Sequence, residues 1–352
     1  MSYDTLLVID AIVLLAGLVI LFVRDRIIEV FFGSRVMEEE EGLWTCEYCG
    51  VLISGDEKVR THRSSAHSPC NAWAKYLERG DAKTTSWPSS EILVITWNTH
   101  LAEDGVVNGI PQSTRLSHAM IAFRVAELVL EECRPTILSL QGVRDTQEMA
   151  SLMKRLHFIL VGAAQSFHTA QESWTCLFVR GIDTDKVQLA HYDDATTHGG
   201  VCVAEIDFPR ITLVTAHFAA GHTKPNSRVG VDWVGVDVRR EQSAGIRRYL
   251  EARRMPELPV ICLGDFNFRE VDGKDESLGD VKGMGPWQEA KTGHTYFNMP
   301  PLEGHQRQRC DRIYVAGAAS QPSLKINKAW TNHMWSVSDH AAVVAVVAVS
   351  LG

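Results

Sequence analysis

Polar side chains suited to acid–base and metal chemistry recur where short apolar runs stop. Asn98 closes ILVITWN and His217 closes ITLVTAH. Asp265 and Asn267 follow VICLG in a GDFN stretch, Asp311 lies in CDRIYV, and Asp339 and His340 form SDH before the last apolar run. Strand ends are where a rigid scaffold presents reactive groups. Any one of these residues alone also suits a strand-end cap or a satisfied core polar group, so the ordered set is what carries information. A second constellation lies nearer the N-terminus. Cys46, Cys49, His62 and His67 follow the spacing C-x2-C-x12-H-x4-H. Two thiolates on a hairpin, then two imidazoles about one helical turn apart, are what a tetrahedral zinc ion needs.

The elements that must position the first group read as alternating strands and helices. ILVITW, TILSLQ, CLFVR, VCVAEIDF, ITLVTAH, VICLGDF and AAVVAVVAV are short β-rich runs. Between them, residues 116–133 and 237–254 carry apolar positions at helical spacing. No internal period suggests a repeat architecture. The pattern predicts layered α/β packing with mostly antiparallel central sheets.

Upstream, residues 5–23 read TLLVIDAIVLLAGLVILFV, about the 20 apolar residues that cross a bilayer. No basic region precedes this run and no small-residue cleavage site follows it, so a retained anchor is expected rather than a cleaved signal. Arg24, Arg26 and Arg35 follow it, and no Lys or Arg precedes it. The positive-inside rule then puts the large C-terminal part on the cytosolic or mitochondrial matrix side of a single-pass membrane protein. Asp10 lies within the run; a carboxylate costs about 2.5–3.5 kcal/mol at the bilayer centre and less near its edge. It either reaches the headgroups or faces a partner helix, and the sequence leaves both readings open. The expected organisation is an anchor over 5–23, a charged spacer over 24–42, a zinc module over 43–70, a polar linker over 71–90 and a large domain over 91–352.

Composition is that of a globular chain: 352 residues, 45% hydrophobic and 22% charged. A net charge of −8 gives no general electrostatic reason to bind nucleic acid. The eight cysteines do not form the framework of a small secreted domain, since most sit singly in apolar runs; a reducing compartment is the simpler reading.

The zinc-spaced quartet resembles a C2H2 zinc finger beyond its ligands: Trp44 precedes the first cysteine, and Ile53 and Val59 stand where such fingers place their small apolar core. A single finger contacts about three base pairs, and no second one follows. Docking to protein or a purely structural role is therefore expected. TWN, LQ, AHFAAGH, GDFNFR, CDRIY and SDH, in this order, resemble the endonuclease/exonuclease/phosphatase (deoxyribonuclease I-like) superfamily over essentially all of residues 91–352. That resemblance implies a two-sheet α/β sandwich flanked by helices. GDFNFR, TYFN…CDRIY and AHFAAGH look most like the inositol polyphosphate 5-phosphatase branch. By this resemblance Asp265 activates or holds the attacking water and Asn267 orients the phosphate. Asn98 and Asp339 lie around a Mg²⁺ ion, His217 binds a phosphate oxygen, and His340 contacts the phosphoryl group with its tautomer fixed by Asp311.

The chain departs from that pattern at one important place. The superfamily's LQE, whose glutamate is the main carboxylate ligand of magnesium, reads Leu140, Gln141, Gly142 here. Mg²⁺ is usually held by one or two carboxylates, so a loss of a thousandfold or more in rate is plausible at about 1.4 kcal/mol per factor of ten. Asp145 and Glu148 are near in sequence but are not at the strand end. Thr197, His198, Val229 and Phe297 replace residues that would recognise a polyphosphorylated ring. Two functions remain open: a membrane-anchored, Mg²⁺-dependent phosphoester hydrolase with an impaired metal site, or a catalytically inactive accessory subunit of a membrane protein complex, for example in the mitochondrial inner membrane. If Gly142 is the sole defect, a glutamate there is expected to raise hydrolysis by several orders of magnitude.

Overall fold

The β-rich runs of the large C-terminal part pair into two six-stranded sheets in a computed structural model. The described residues are 43–45, 52–54, 87–99, 106–107, 110–111, 118–129, 131–166, 173–190, 192, 200–207, 210–219, 233–252, 258–268, 270–271, 274–282, 286–295, 308–317, 323–332, 338 and 340–350. The chain divides into two units, Met1–Glu78 and Arg79–Gly352. In the first, Leu43–Thr45 pairs antiparallel with Leu52–Ser54, setting Trp44 opposite Ile53. Residues 5–23 with Asp10, and Cys46, Cys49, His62 and His67, lie outside the described residues. No described helix is long and apolar enough to cross a membrane.

In the second unit, one sheet holds β1 (Glu91–Asn98), β2 (Thr136–Val143), β3 (Ile159–Ser166), β4 (Ser173–Arg180), β11 (Ser323–Asn332) and β12 (Ala342–Ser350). Their order is β11-β12-β1-β2-β4-β3. The other holds β5 (Val187–Ala190), β6 (Val201–Ile206), β7 (Ile211–His217), β8 (Val260–Asp265), β9 (Gln288–Glu289) and β10 (Asp311–Ala316), in the order β9-β10-β8-β7-β6-β5. Among the described strands, the central pairs, β1 with β2 and β7 with β8, are the parallel ones. Parallel neighbours need a crossover, commonly a helix. Here α1 (His118–Val129) lies between β1 and β2 in the chain, and α3 (Trp233–Ala252) lies between β7 and β8. A short helix, α2 (Thr146–Lys154), follows β2; the Asp145 side chain caps it by accepting from the N–H groups of Gln147 and Glu148.

Side chains two residues apart on a strand share a face, and this period decides where the site can form. Ile92 and Val94 of β1, Ile137 of β2, Leu213 of β7, Ile261 and Leu263 of β8, and Ile313 of β10 belong to one buried cluster between the sheets. Continuing each strand by steps of two, the inward positions turn polar at one end: Thr96 and Asn98, Ser139 and Gln141, Thr215 and His217, Asp265, and Asp311. All are buried. The sandwich interior is thus aliphatic over most of its length and polar at one end. The opposite face of the second sheet packs Val214, Val260 and Cys262 with Ile246 and Leu250 of α3. Burial pushes the Cys176 and Cys202 thiols up to about 12, consistent with cysteine acting as a core hydrophobe.

Candidate active site

The polar end of the sandwich gathers strand ends from both sheets. Register pairs Asn98 with Gln141 across the first parallel pair and His217 with Asp265 across the second. Asp311 starts β10 opposite Asp265. Gly264, just before Asp265, has φ 153, and a Cβ there would lie 2.0 Å from the Ala216 carbonyl oxygen. Only glycine allows β7 and β8 to approach this closely.

Asp265 is the hub. Its Oδ2 accepts from Asn98 Nδ2 at 2.8 Å, a hydrogen bond from one sheet to the other. Its Oδ1 accepts from the Asn267 N–H at 2.8 Å. His217 Nε2 and His340 Nδ1 stand 3.8 Å and 4.0 Å from Oδ2. Burial alone would push this carboxyl up. The His340 and His217 imidazoles, then the Asn98 amide and the Asn267 N–H, hold it below the ordinary carboxylate value. Asn267 takes φ 49, a left-handed conformation that asparagine tolerates. Its amide donates to the Phe218 carbonyl at 3.0 Å.

His340 Nδ1 lies 2.7 Å from Asp311 Oδ2. With the carboxylate accepting, the proton of this hydrogen bond sits on Nδ1. Asp311 is raised by burial and, against the pull of His340, by the neighbouring Asp265. The His340 backbone is gripped as well: its N–H donates to Ser338 Oγ at 3.0 Å, and its carbonyl accepts from Trp97 Nε1 at 3.2 Å. Ser338 Oγ in turn donates to the Asn98 carbonyl at 2.8 Å. Trp97 and Ser338 were within the TWN and SDH motifs but carried no role in the sequence reading, because backbone grips have no residue-type signature.

The structure therefore brings Asn98, His217, Asp265, Asn267, Asp311 and His340 to one place. Asp339 lies outside the described residues. Gln141 turns inward beneath them: its Nε2 donates to Thr96 Oγ1 at 3.1 Å and also bonds Ser139 Oγ, which bonds Thr215 Oγ1 of the facing sheet. Gly142 has φ 72 and falls where the β2–β4 register slips between Leu140 and Val143. Position 142 lacks a carboxylate, and its backbone is also one that side chains rarely adopt. The two nearby acids are committed elsewhere. Asp145 caps α2, and Glu148 Oε2 lies 2.7 Å from His118 Nδ1.

Asp265, Asp311 and His340 offer ligand-type atoms within 4.8 Å of one another. Their donor chemistry decides whether magnesium suits them. Mg²⁺ asks for oxygen ligands in near-octahedral array, with carboxylates supplied by the protein. Here both Asp265 oxygens already accept hydrogen bonds, and Asp311 Oδ2 and His340 Nδ1 are engaged with each other. Asn98, Gln141 and Gly142, at the β1–β2 end, supply no carboxylate of their own. Asp311 Oδ1 is buried without a hydrogen-bond partner and remains available as an oxygen ligand, so the set meets the needs of a cation in part: the Asp265 and Asp311 oxygens are present, and a carboxylate from β1 or β2 is not.

No family model matches the chain, and no curated protein sequence matches it. Solved structures do. TDP2 of D. rerio humanized by 14 mutations shares 15% identity, covering 74% of this chain and 99% of that one with a TM-score of 0.49. TDP2 from C. elegans shares 18%, covering 83% and 84% with a TM-score of 0.48. An endonuclease/exonuclease/phosphatase from Beutenbergia cavernae DSM 12333 shares 14%, covering 74% and 72% with a TM-score of 0.49. At such identities, chemistry does not transfer with the fold.

Proposed function

We propose that the chain is a phosphoesterase-like protein of the endonuclease/exonuclease/phosphatase type that binds phosphoryl groups but whose metal site is impaired. The observation that carries this reading is an asymmetry: Asp265, Asp311, His217 and His340 form a buried cluster in which His340 bonds Asp311 and both imidazoles stand beside Asp265, while position 142 is a glycine at φ 72. The motif order of the sequence supports the reaction class. A polyphosphorylated inositol ring is not proposed as the ligand, since the changes at Thr197, His198, Val229 and Phe297 each remove a donor or a charge that would recognise it. Residues 5–23 anchor the protein, with the large domain on the side of Arg24 and Arg26. Cys46, Cys49, His62 and His67 hold one zinc ion, a reading that the Leu43–Ser54 hairpin supports by bracketing the cysteine pair. The glycine backbone at 142 also favours the second reading, an inactive accessory subunit of a membrane complex.

The test is purification of the full chain in mild detergent, asking whether it arrives alone or in a defined assembly. Hydrolysis of bis(p-nitrophenyl) phosphate and calorimetry with Mg²⁺ and with inorganic phosphate follow. Phosphate binding with little or no turnover is expected. Mg²⁺-dependent turnover abolished by Asp265→Ala would show that another carboxylate has taken over, and the impairment would be refuted. Zinc absent from the wild type, or retained in Cys46→Ser, would refute the finger. Release by alkaline carbonate, or a mature chain beginning after Phe22, would refute the anchor.

A further inference from the structure

Thr295 bonds Asp311 and the residue that follows its partner His340, from a segment that belongs to neither of their strands. It is completely buried. Its Oγ1 accepts the Asp311 N–H at 3.0 Å. Its carbonyl accepts the N–H of Ala341, the residue after His340, at 2.7 Å, and its own N–H donates to the Gln308 carbonyl at 2.9 Å. One residue therefore fixes the start of β10, where Asp311 sits, against the start of the last strand, where His340 sits. Trp97 and Ser338 also grip His340, but neither bonds Asp311. A 2.7 Å contact between Nδ1 and Oδ2 demands such alignment, because hydrogen bonds weaken steeply with distance and angle.

A threonine that only filled space could be exchanged for valine, which has nearly its shape. The hydroxyl argues otherwise, because it accepts a buried backbone N–H that would be left unsatisfied without it. We infer that Thr295 is a positioning residue that holds Asp311 and His340 in register, so that the imidazole keeps its proton on Nδ1 against the Asp311 carboxylate. The inference rests on the phosphoryl-binding reading only for the second of its two readouts.

The experiment uses the full chain in detergent, labelled with ¹⁵N-histidine, as wild type, Thr295→Val and Thr295→Ser. The first readout is the downfield His340 Nδ1–H resonance. It is expected in the wild type and in Thr295→Ser, and broadened beyond detection in Thr295→Val. The second is affinity for inorganic phosphate, expected to weaken about tenfold in Thr295→Val, the equivalent of one buried hydrogen bond, and to return to within about twofold of wild type in Thr295→Ser. If Thr295→Val does not fold, Thr295→Cys, a weaker acceptor of similar size, takes its place with the same expectation. An unchanged resonance in the valine or cysteine variant overturns the inference, as does its absence from the wild type. If no protein binds phosphate but the resonance behaves as expected, the phosphoryl-binding reading fails and the role of Thr295 stands.

Discussion

The two parallel strand pairs at the centre of the sheets are built alike and end differently. Each is flanked by antiparallel strands, and in each a helix intervenes in the chain between the two strands. β7 and β8 end in His217 and Asp265, with Asp311 beside them, and that end is held by charge-assisted contacts. β1 and β2 end in Asn98 and Gln141, both neutral, and the chain then turns through a glycine. Asn98 donates to Asp265 across the gap, so the neutral end serves the charged one as a hydrogen-bond donor. A carboxylate on the neutral end would instead need a cation between the two. The difference teaches that the charged half of a two-sheet site can stay assembled through its own hydrogen bonds when the facing strand ends are neutral.

The largest effect is expected from removing the hub. Asp265→Ala strips a buried counter-charge from two imidazoles and an acceptor from Asn98 and Asn267, and should destabilise by about 3 kcal/mol in urea unfolding. Gln141→Met, its counterpart on the neutral side, should cost clearly less; the reverse ranking would break the comparison. Asn98→Asp sets two carboxylates face to face at the separation where a hydrogen bond now stands. It should lose about 2 kcal/mol in the absence of Mg²⁺, and recover when millimolar Mg²⁺ is added. Failure of Mg²⁺ to rescue would mean that the gap cannot admit an ion.

Gly142→Glu should cost about 1 kcal/mol, because a side chain is forced into a left-handed backbone. It should tighten Mg²⁺ about tenfold by calorimetry, equivalent to about 1.4 kcal/mol. This is a smaller gain than the orders of magnitude expected if residue type were the only defect, since the β2 bulge also displaces the strand end. An unchanged Mg²⁺ affinity would favour the accessory-subunit reading. The smallest effect belongs to Glu148→Gln, which should leave Mg²⁺ affinity unaltered while loosening His118. Any loss would identify Glu148 as a substitute ligand.

Much of the fold was legible because the strands that carry the site are the apolar ones. The runs ending at Asn98, Gln141, His217 and Asp265 match β1, β2, β7 and β8 within one or two residues. The helical periodicity over 116–133 and 237–254 matches α1 and α3. β3 went unread because ILVGAAQS has no alternation of apolar and polar residues. β11 went unread because Lys325 and Lys328 interrupt its apolar face as exposed residues of a sheet edge. α2 is nine residues long, too short for a period to stand out.

By itself the sequence determined the inventory of the site and the elements that would carry it. Strand-forming runs, their terminal polar residues and the absence of a carboxylate at 142 are properties of residue type and order. Only the tertiary structure decided which of those residues meet. The two-residue period turns Gln141 inward to bond Thr96 and Ser139 rather than toward Asp265. Asp145 and Glu148 are drawn to a helix cap and to His118, and Thr295 is placed between Asp311 and Ala341. The positive φ of Gly142 is likewise invisible in its letter. Such choices depend on which backbone groups must find partners once two sheets close on each other, and that is a property of the packed chain.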